Sequence, residues 1–291
     1  MESMVKSIAS ILDPTPPQQV GDGFNVSNFF PRGYKIKMSP FFLLDYNVRT
    51  ELAGSVEPRG VGVHPHRGFE TVTIPYHGAI AHEDSAGNTG VIYPGDVQWM
   101  TAARGILHKE YYEKEFNTSG GILQTVQLWV NLPAKDKMST PKYQSLKHSD
   151  ICNVILPDNA GSVEVIAGEY VGVRGPASTF TPLNVFNAIL NPGGTTVINL
   201  PREYNTGFLV IEGKITVNGD STASENQFIY FNHDGESISL RASVKSTILI
   251  LSGQPINEPI AQYGPFLMNR PEEIQQAIDD YNQGRFGYLE E

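Results

Sequence analysis

Two pairs of potential metal ligands, each with a two-residue spacing, place the strongest condition on the fold of this chain. The first pair is His64 and His66 in V-H-P-H-R-G-F-E, and the second is His108 and Glu110 in A-R-G-I-L-H-K-E. Side chains alternate across a β-strand, so residues two apart point to the same face. Two such pairs facing each other inside a barrel would surround one metal ion with three nitrogens and a carboxylate, and leave room for a small molecule.

The residues alone leave two candidates for the carboxylate ligand. Glu70 shares the strand parity of the first histidine pair if no bulge intervenes, and Glu110 shares the parity of His108. A single H-x-H pair is weak support for a metal site, whereas a second pair at the same spacing strengthens the prediction. His82 is a weaker candidate, because A-H-E-D-S-A-G-N reads as a turn.

Glycine and proline punctuate the chain and predict an all-β fold. There are 28 glycines and 20 prolines, and they separate short apolar runs, which is typical of many short strands in a sandwich or barrel. The predicted strands include 41–46, 71–74, 126–130, 185–190, 207–211, 214–217 and 247–251. Asn218-Gly219 predicts a hairpin turn. The length of 291 residues suggests two domains, and the polar segment 133–150 is the expected connection.

One helix is predicted near the end of the chain. Asn269 is the expected N-cap, Pro271 suits the first turn, and Gly284 follows the last turn. The residues expected on one face of this helix are Ile274, Ile278 and Tyr281.

Charge and cysteine content argue against several classes of protein. The formal net charge is −10 and no basic run occurs, which disfavours direct nucleic-acid binding. Cys152 is the only cysteine, so no disulfide forms within the chain, as expected in a reducing compartment. We see neither a secretory signal pattern nor the roughly 20 apolar residues that span a bilayer. These features predict a cytoplasmic protein, with a nuclear location open if the source is eukaryotic.

Long motifs around the paired ligands resemble those of the cupin superfamily and, within it, the pirin family. They are H-P-H-R-G-F-E-T-V-T, H-E-D-S-A-G-N, G-D-V-Q-W-M-T-A-A-R-G-I-L-H-K-E and G-P-F-L-M-N-R-P-E-E-I. The resemblance extends from about residue 20 to residue 288. It implies two antiparallel β-barrel (double-stranded β-helix) cupin domains and a short C-terminal helix. We expect a metal-binding domain at 1–140, and at 141–291 a domain without metal ligands that includes the closing helix.

The resemblance also implies which residues form the site. One iron ion, Fe(II) or Fe(III), would be held by the two H-P-H histidines together with His108 and Glu110. This favours Glu110 over Glu70 as the fourth ligand and leaves Glu70 to orient a ligand imidazole. Glu110 is also the expected proton acceptor, and other divalent transition metals suit the same donors. The residues expected to line the substrate pocket are Phe42, Asp45, Arg67, Trp99 and Met100.

The family resemblance implies an oxidoreductase of the quercetin 2,3-dioxygenase type. Its substrates would be a flavonol such as quercetin and dioxygen. The alternative is a redox-sensing regulatory protein that binds transcription factors or metabolic enzymes through an iron-dependent surface, since the acidic charge fits a protein partner better than DNA. A metal-dependent isomerase or a storage-type cupin is a weaker third interpretation. No membrane association is expected under any of them.

Overall fold

Short antiparallel strands make up most of the computed structural model, which describes residues 4–31, 33 and 36–291. Strands contain 54% of the residues and helices 8%, which confirms the all-β prediction. Up to residue 131 the elements are β1 (Ile8–Leu12), β2 (Gln18–Val20), β3 (Phe24–Phe30), β4 (Phe41–Ala53), β5 (Gly60–His66), β6 (Phe69–His77), β7 (Ile80–Asp84), β8 (Thr89–Ile92), β9 (Val97–Thr101), β10 (Ile106–Tyr112), α1 (Lys114–Ser119) and β11 (Gly120–Asn131).

The remaining strands begin within the polar segment 133–150 that was expected to be a connection, since β12 lies inside it. They are β12 (Lys142–Leu146), β13 (Cys152–Ile155), β14 (Gly161–Ala167), β15 (Glu169–Tyr170), β16 (Val173–Arg174), β17 (Leu183–Leu190), β18 (Thr195–Asn199), β19 (Asn205–Glu212), β20 (Lys214–Val217), β21 (Ser221–Ser224), β22 (Phe228–Phe231), β23 (Ser237–Ala242), β24 (Ser246–Gly253), β25 (Ala261–Tyr263) and β26 (Phe266–Met268), and the helix α2 (Pro271–Asn282) comes last. Single 3-10 turns occupy His148–Asp150 and Pro157–Asn159. All seven apolar runs named above lie in strands, and Asn218-Gly219 follows β20 with positive φ at both residues, as predicted.

The chain forms two compact units, each built from separate stretches of sequence. Unit 1 contains the described residues of Met1–Thr15, Phe29–Pro40 and Ser149–Pro255, and unit 2 contains those of Pro16–Asn28, Phe41–His148 and Ile256–Glu291. Each unit therefore includes segments from both expected domains, and the ranges 1–140 and 141–291 stay a prediction for the domain limits.

Unit 2 is a sandwich of a seven-stranded and a four-stranded sheet. The larger sheet has the order β12-β9-β6-β11-β4-β3-β2, and the smaller has the order β5-β10-β7-β8. Side chains of the two sheets meet in the interior: the rings of Tyr143 and His82 stack, and Thr73 donates a hydrogen bond to Glu110. The strand composition agrees with the predicted cupin class, but the described sheets do not close into barrels.

Unit 1 repeats this plan with an apolar interior. Its sheets have the orders β1-β22-β19-β24-β17-β14-β13 and β18-β23-β20-β21. Large apolar side chains from both sheets share one buried cluster, which accounts for the packing of this unit. They include Phe186, Phe208, Phe231, Ile198, Ile215 and Val217.

The C-terminal helix belongs to unit 2 and begins one residue later than expected. The side chain of Glu273 accepts hydrogen bonds from the backbone N–H groups of Asn269 and Arg270, at 2.9 and 3.0 Å, and Arg270 is the N-cap. The prediction of Asn269 as the cap was wrong because its side chain instead contacts the segment that precedes β25. Gly284 donates to the carbonyl of Tyr281 with φ at +71°, as expected for a helix end. No helix in the described residues has the length and apolar character needed to cross a bilayer.

Candidate metal centre

The smaller sheet of unit 2 brings the predicted histidines onto one face. Buried and half-buried residues alternate along β10, so its buried residues, His108 among them, face the interior. His108 lies opposite His64 on β5 and opposite Asp84 on β7. Directly opposed residues of antiparallel strands project to the same face, so these three side chains form one row across the sheet.

A register shift in β5 sets the position of this row. His108 pairs with His64, but Glu110, two residues further along β10, pairs with Val61, which is three residues away from His64 on β5. The extra residue is typical of a β-bulge. The ring Nδ1 of His64 lies 2.8 Å from the carbonyl oxygen of Gly62 within the bulge, which fixes the orientation of that imidazole.

His64, His66 and His108 converge closely enough to hold one metal ion. Their ligand nitrogens all lie within 4.8 Å of one another. The ring centroids are 4.8, 4.2 and 4.7 Å apart. When three nitrogens bind one ion through metal–nitrogen bonds of about 2.1 Å, they lie about 3.0 to 3.6 Å apart. Small side-chain movements therefore suffice for all three to bind the same ion.

The nitrogens of this cluster are available for a metal. Both ring nitrogens of His108 are buried and have no hydrogen-bond partner among the described residues, which costs roughly 1–3 kcal/mol when nothing else binds them. The Nδ1 atoms of His64 and His66 contact the carbonyl oxygens of Gly62 and Pro265, at 2.8 and 3.4 Å, so their Nε2 atoms are free to bind. Carbonyl partners of this kind commonly orient metal-binding imidazoles. The donor set thus fits a transition metal.

Burial keeps the imidazoles of His66 and His108 neutral. Desolvation lowers the pKa of His66 and of His108 well below the ordinary value, and the interaction with His64 lowers both further. A metal binds the neutral form of histidine. These two side chains are therefore in the binding-competent state at neutral pH.

Glu110 lies on the same strand but is not part of the close cluster. Its Oε1 accepts a hydrogen bond from the Thr73 hydroxyl at 3.1 Å, and its Oε2 accepts one from the Gln127 amide at 2.8 Å. Both donors come from the larger sheet. Among the described residues, only the three histidines form a group with ligand atoms within 4.8 Å. The role of Glu110 as fourth ligand stays a prediction.

Glu70 lies in the other sheet. β5 ends at His66, the chain turns at Gly68 with φ at +91°, and Glu70 follows on β6. The parity argument for Glu70 was wrong because this turn separates it from the histidines. Its carboxylate accepts a hydrogen bond from Thr101 at 2.7 Å, and burial raises its pKa to about 7. Its proposed role in orienting a ligand imidazole stays a prediction.

His82 lies on β7 rather than in a turn, so the prediction of a turn at this histidine was wrong. Its ring stacks on Tyr143 at 5.0 Å and lies 5.4 Å from the ring of His108. The Gln98 amide lies 3.0 Å from its Nδ1, and Asp84 lies 3.4 Å from its Nε2. His82 and Asp84 have the two-residue spacing of the other pairs, and that signal was available in the sequence.

A small cavity adjoins Glu110 within unit 2. Asp45, Gln127 and Thr73 are consecutive cross-strand neighbours and form its polar wall. The residues on its apolar side are Val20, Phe24, Val26, Val61 and Ile80. A polar wall opposite an apolar one suits a ligand with a flat apolar body and a hydroxylated edge.

Asp45 is the predicted pocket residue that lines this cavity. Phe42 stacks on Trp129 at 6.4 Å, and the Trp129 ring lies 5.4 Å from that of His66, so this aromatic pair flanks the histidines instead. Part of the predicted pocket is therefore near the candidate site without lining the cavity.

The other predicted pocket residues serve packing in the described structure. Arg67 forms a buried ion pair with Asp280 of α2, at 2.8 Å, and its guanidinium stacks over the ring of Phe286. Trp99 and Met100 are fully buried on β9. None of the three is among the residues that line the cavity, and their role in substrate binding stays a prediction.

The two open sandwiches and the convergent imidazoles of unit 2 define a two-domain cupin-type protein with a site that suits a metal ion. Residues 23–130 match the family described as Pirin, and residues 185–287 match the Pirin C-terminal cupin domain. The chain belongs to the pirin family.

Relatives of known name cover nearly the whole chain. A Pseudomonas aeruginosa protein, provisionally named a quercetin 2,3-dioxygenase, is 46% identical over 97% of this chain and 99% of its own length. Human Pirin is 36% identical over 99% of this chain and 96% of its own. The crystal structure of a quercetin 2,3-dioxygenase from Acinetobacter baumannii superposes with a TM-score of 0.93 at 42% identity, over 99% of this chain and 100% of that one.

Proposed function

We propose that this protein is an iron-dependent dioxygenase that opens the central ring of flavonols such as quercetin. The observation that carries the proposal is the cluster of three histidines in the same unit as a cavity lined by Glu110, with ring nitrogens on His108 that have no hydrogen-bond partner within the described ranges. The names of the Pseudomonas and Acinetobacter relatives support the choice of substrate. A cytoplasmic location is part of the proposal and agrees with a single cysteine, Cys152.

In this proposal His64, His66 and His108 hold the ion, and Glu110 is the fourth ligand. The bound ion supplies a Lewis-acid centre for a deprotonated substrate oxygen and for dioxygen. Iron is our choice because the family resemblance implies it, and a set of imidazoles with one carboxylate suits non-haem iron.

Glu110 has a second task as the proton acceptor. Its carboxylate lines the cavity, and each of its oxygens keeps lone-pair capacity beyond the hydrogen bonds from Thr73 and Gln127. A flavonol hydroxyl that reaches Glu110 can transfer its proton there. Asp45, further along the same polar wall, offers an acceptor for another substrate hydroxyl.

The apolar side of the cavity binds and shields the ring system. Phe24 and Val26 on β3 and Ile80 on β7 contribute apolar surface. Contact with these side chains removes water from the reacting ring. In the overall reaction the central ring opens, both atoms of dioxygen enter the resulting ester, and carbon monoxide leaves.

A coupled assay tests the proposal. Metal-loaded wild-type protein should consume quercetin and dioxygen in equal amounts and release carbon monoxide. His108→Ala should lower oxygen uptake by roughly 100-fold, because the ion loses one of its three imidazoles. His148→Ala is the matched control, since His148 is exposed on a 3-10 turn and should leave uptake unchanged.

Metal-loaded wild-type protein that leaves quercetin and dioxygen unchanged would contradict the dioxygenase proposal. The regulatory interpretation would then be preferred, with a protein partner that suits the net charge of −10. Under that alternative, a change in the oxidation state of the ion should alter partner binding.

A further inference from the structure

The Glu110 carboxylate is held at both oxygens by one cross-strand pair of the opposite sheet. Thr73 on β6 and Gln127 on β11 lie directly opposite each other. The Thr73 hydroxyl donates to Oε1 at 3.1 Å, and the Gln127 amide donates to Oε2 at 2.8 Å. The same amide lies 3.4 Å from the Thr73 hydroxyl oxygen, so the three side chains form a closed set.

This arrangement restricts the carboxylate without neutralising it. Glu110 and Thr73 are buried, and a free carboxylate at such a depth would sample several rotamers or take up a proton. Neutral donors stabilise the anion, whereas a lysine or arginine would add a positive charge that repels a metal cation. The oxygens still have lone pairs available for a further ligand.

We propose that Thr73 and Gln127 are positioning residues that hold Glu110 ready as a metal ligand and thereby set the metal affinity of the site. This inference rests on the metal centre proposed above. Ligating carboxylates are generally hydrogen-bonded by neighbouring groups, and loss of such groups weakens metal binding by about 10- to 100-fold. The two donors belong to the larger sheet and the histidines to the smaller, so both sheets of unit 2 would contribute to metal affinity.

The chain contains a matched control for the threonine. Thr71 lies two residues before Thr73 on β6, so its side chain is on the same face. It is also buried, but its hydroxyl has no hydrogen-bond partner in the part of the chain that the structure describes. Thr71→Val and Thr73→Val make the same change in shape and polarity, and only the second removes a hydrogen bond to Glu110.

The experiment compares metal affinities of purified, metal-free proteins by competition with a chromogenic chelator, using Fe(II) without oxygen and Mn(II). Thr73→Val and Gln127→Met should each raise the dissociation constant by about 10- to 100-fold. Thr73→Ser, which keeps the hydroxyl, and Thr71→Val should bind as wild type. The Mn(II) electron paramagnetic resonance spectrum should change in the first two variants, because the carboxylate ligand is displaced.

Equal dissociation constants for Thr73→Val, Gln127→Met and Thr71→Val would overturn the inference. If Thr73→Val fails to fold, which its melting curve reports, Gln127→Met alone decides the result. Wild-type protein that binds neither metal overturns both this inference and the proposed function. The expected affinity differences in a protein that leaves quercetin intact would support the positioning role while refuting the dioxygenase proposal.

Discussion

Several buried side chains of unit 2 have polar atoms whose hydrogen bonds are not satisfied by other described residues. Within residues 4–31, 33 and 36–291, His108, Gln98 and Tyr143 each have at least one buried polar atom without a hydrogen-bond partner. Each such atom costs roughly 1–3 kcal/mol of stability. Departures from full hydrogen bonding are expected at functional sites, where binding of a ligand restores the missing partner.

Glu70 provides a pH-dependent prediction at the same scale. Burial raises its pKa in the folded protein to about 7, above the unfolded value near 4.5. The folded state therefore binds this proton more tightly, so the contribution of Glu70 to stability is complete below pH 4.5 and is lost as the pH rises towards 7. Glu70→Gln removes the buried charge and retains an acceptor for Thr101. Its free energy of unfolding should exceed that of wild type by about 3 kcal/mol more at pH 8 than at pH 4.5.

Urea unfolding of the metal-free proteins at the two pH values measures this difference. Thr101→Val is a useful companion, because it removes the hydrogen bond to Glu70 without changing the charge. An equal difference between Glu70→Gln and wild type at both pH values would show that folding does not raise the pKa of this carboxyl group.

Strands and turns decide which polar residues meet. The bulge in β5 aligns His64 with His108, and the antiparallel pairing of β7 with β10 adds Asp84 to the same row. The turn at Gly68 then carries the chain from the smaller sheet into the larger one. The local geometry of β5, β7 and β10 therefore determines the site more than any single contact.

Substitution at this turn gives a prediction for the elements. In Gly68→Ala the new methyl group would overlap the carbonyl oxygen of Leu267, at a φ of +91°. Gly87→Ala is the matched control, since Gly87 has a φ of +86° and no heavy atom within 4 Å of the position of a Cβ. The control should lose about 1 kcal/mol to backbone strain, and Gly68→Ala roughly 3 kcal/mol or more because of the added overlap.

Thermal unfolding followed by circular dichroism measures both substitutions. Gly68→Ala should also weaken metal binding, because the turn directly follows His66. A pair of variants with the same loss of stability would mean that the backbone near Leu267 moves aside without cost.

The two units share one arrangement of sheets but differ in the residues of their interiors. Both units combine a seven-stranded and a four-stranded sheet. The interior of unit 1 is a cluster of buried apolar residues, whereas that of unit 2 contains the three-histidine group and the Glu110 hydrogen-bond set. Packing thus stabilises unit 1, and unit 2 combines packing with a site that binding can stabilise further.

Metal addition should therefore protect one unit selectively. A ligand present at 100 times its dissociation constant stabilises the binding state by about 2.7 kcal/mol. Hydrogen exchange should slow in β5 and β10, which carry the histidines, and should be unchanged in β17 and β24 of unit 1. The His108→Ala variant should show no protection, and equal slowing in both units would refute a site confined to unit 2.

Local chemistry determined much of this protein from the sequence alone. The apolar runs predicted the strands, and turn residues such as Asn218-Gly219 predicted where strands end. Both signals depend only on residues that are neighbours in the chain. The two-residue spacing of His64 and His66 likewise needed only the geometry of one strand.

The tertiary structure decided which side chains meet. Strand pairing brings the His82 ring beside that of His108, and it brings Thr73 and Gln127 within hydrogen-bond distance of Glu110. Glu70 lies on β6 and therefore in the other sheet. These contacts join residues far apart in the chain, and only the tertiary structure could decide them because register and bulges depend on packing across the sandwich.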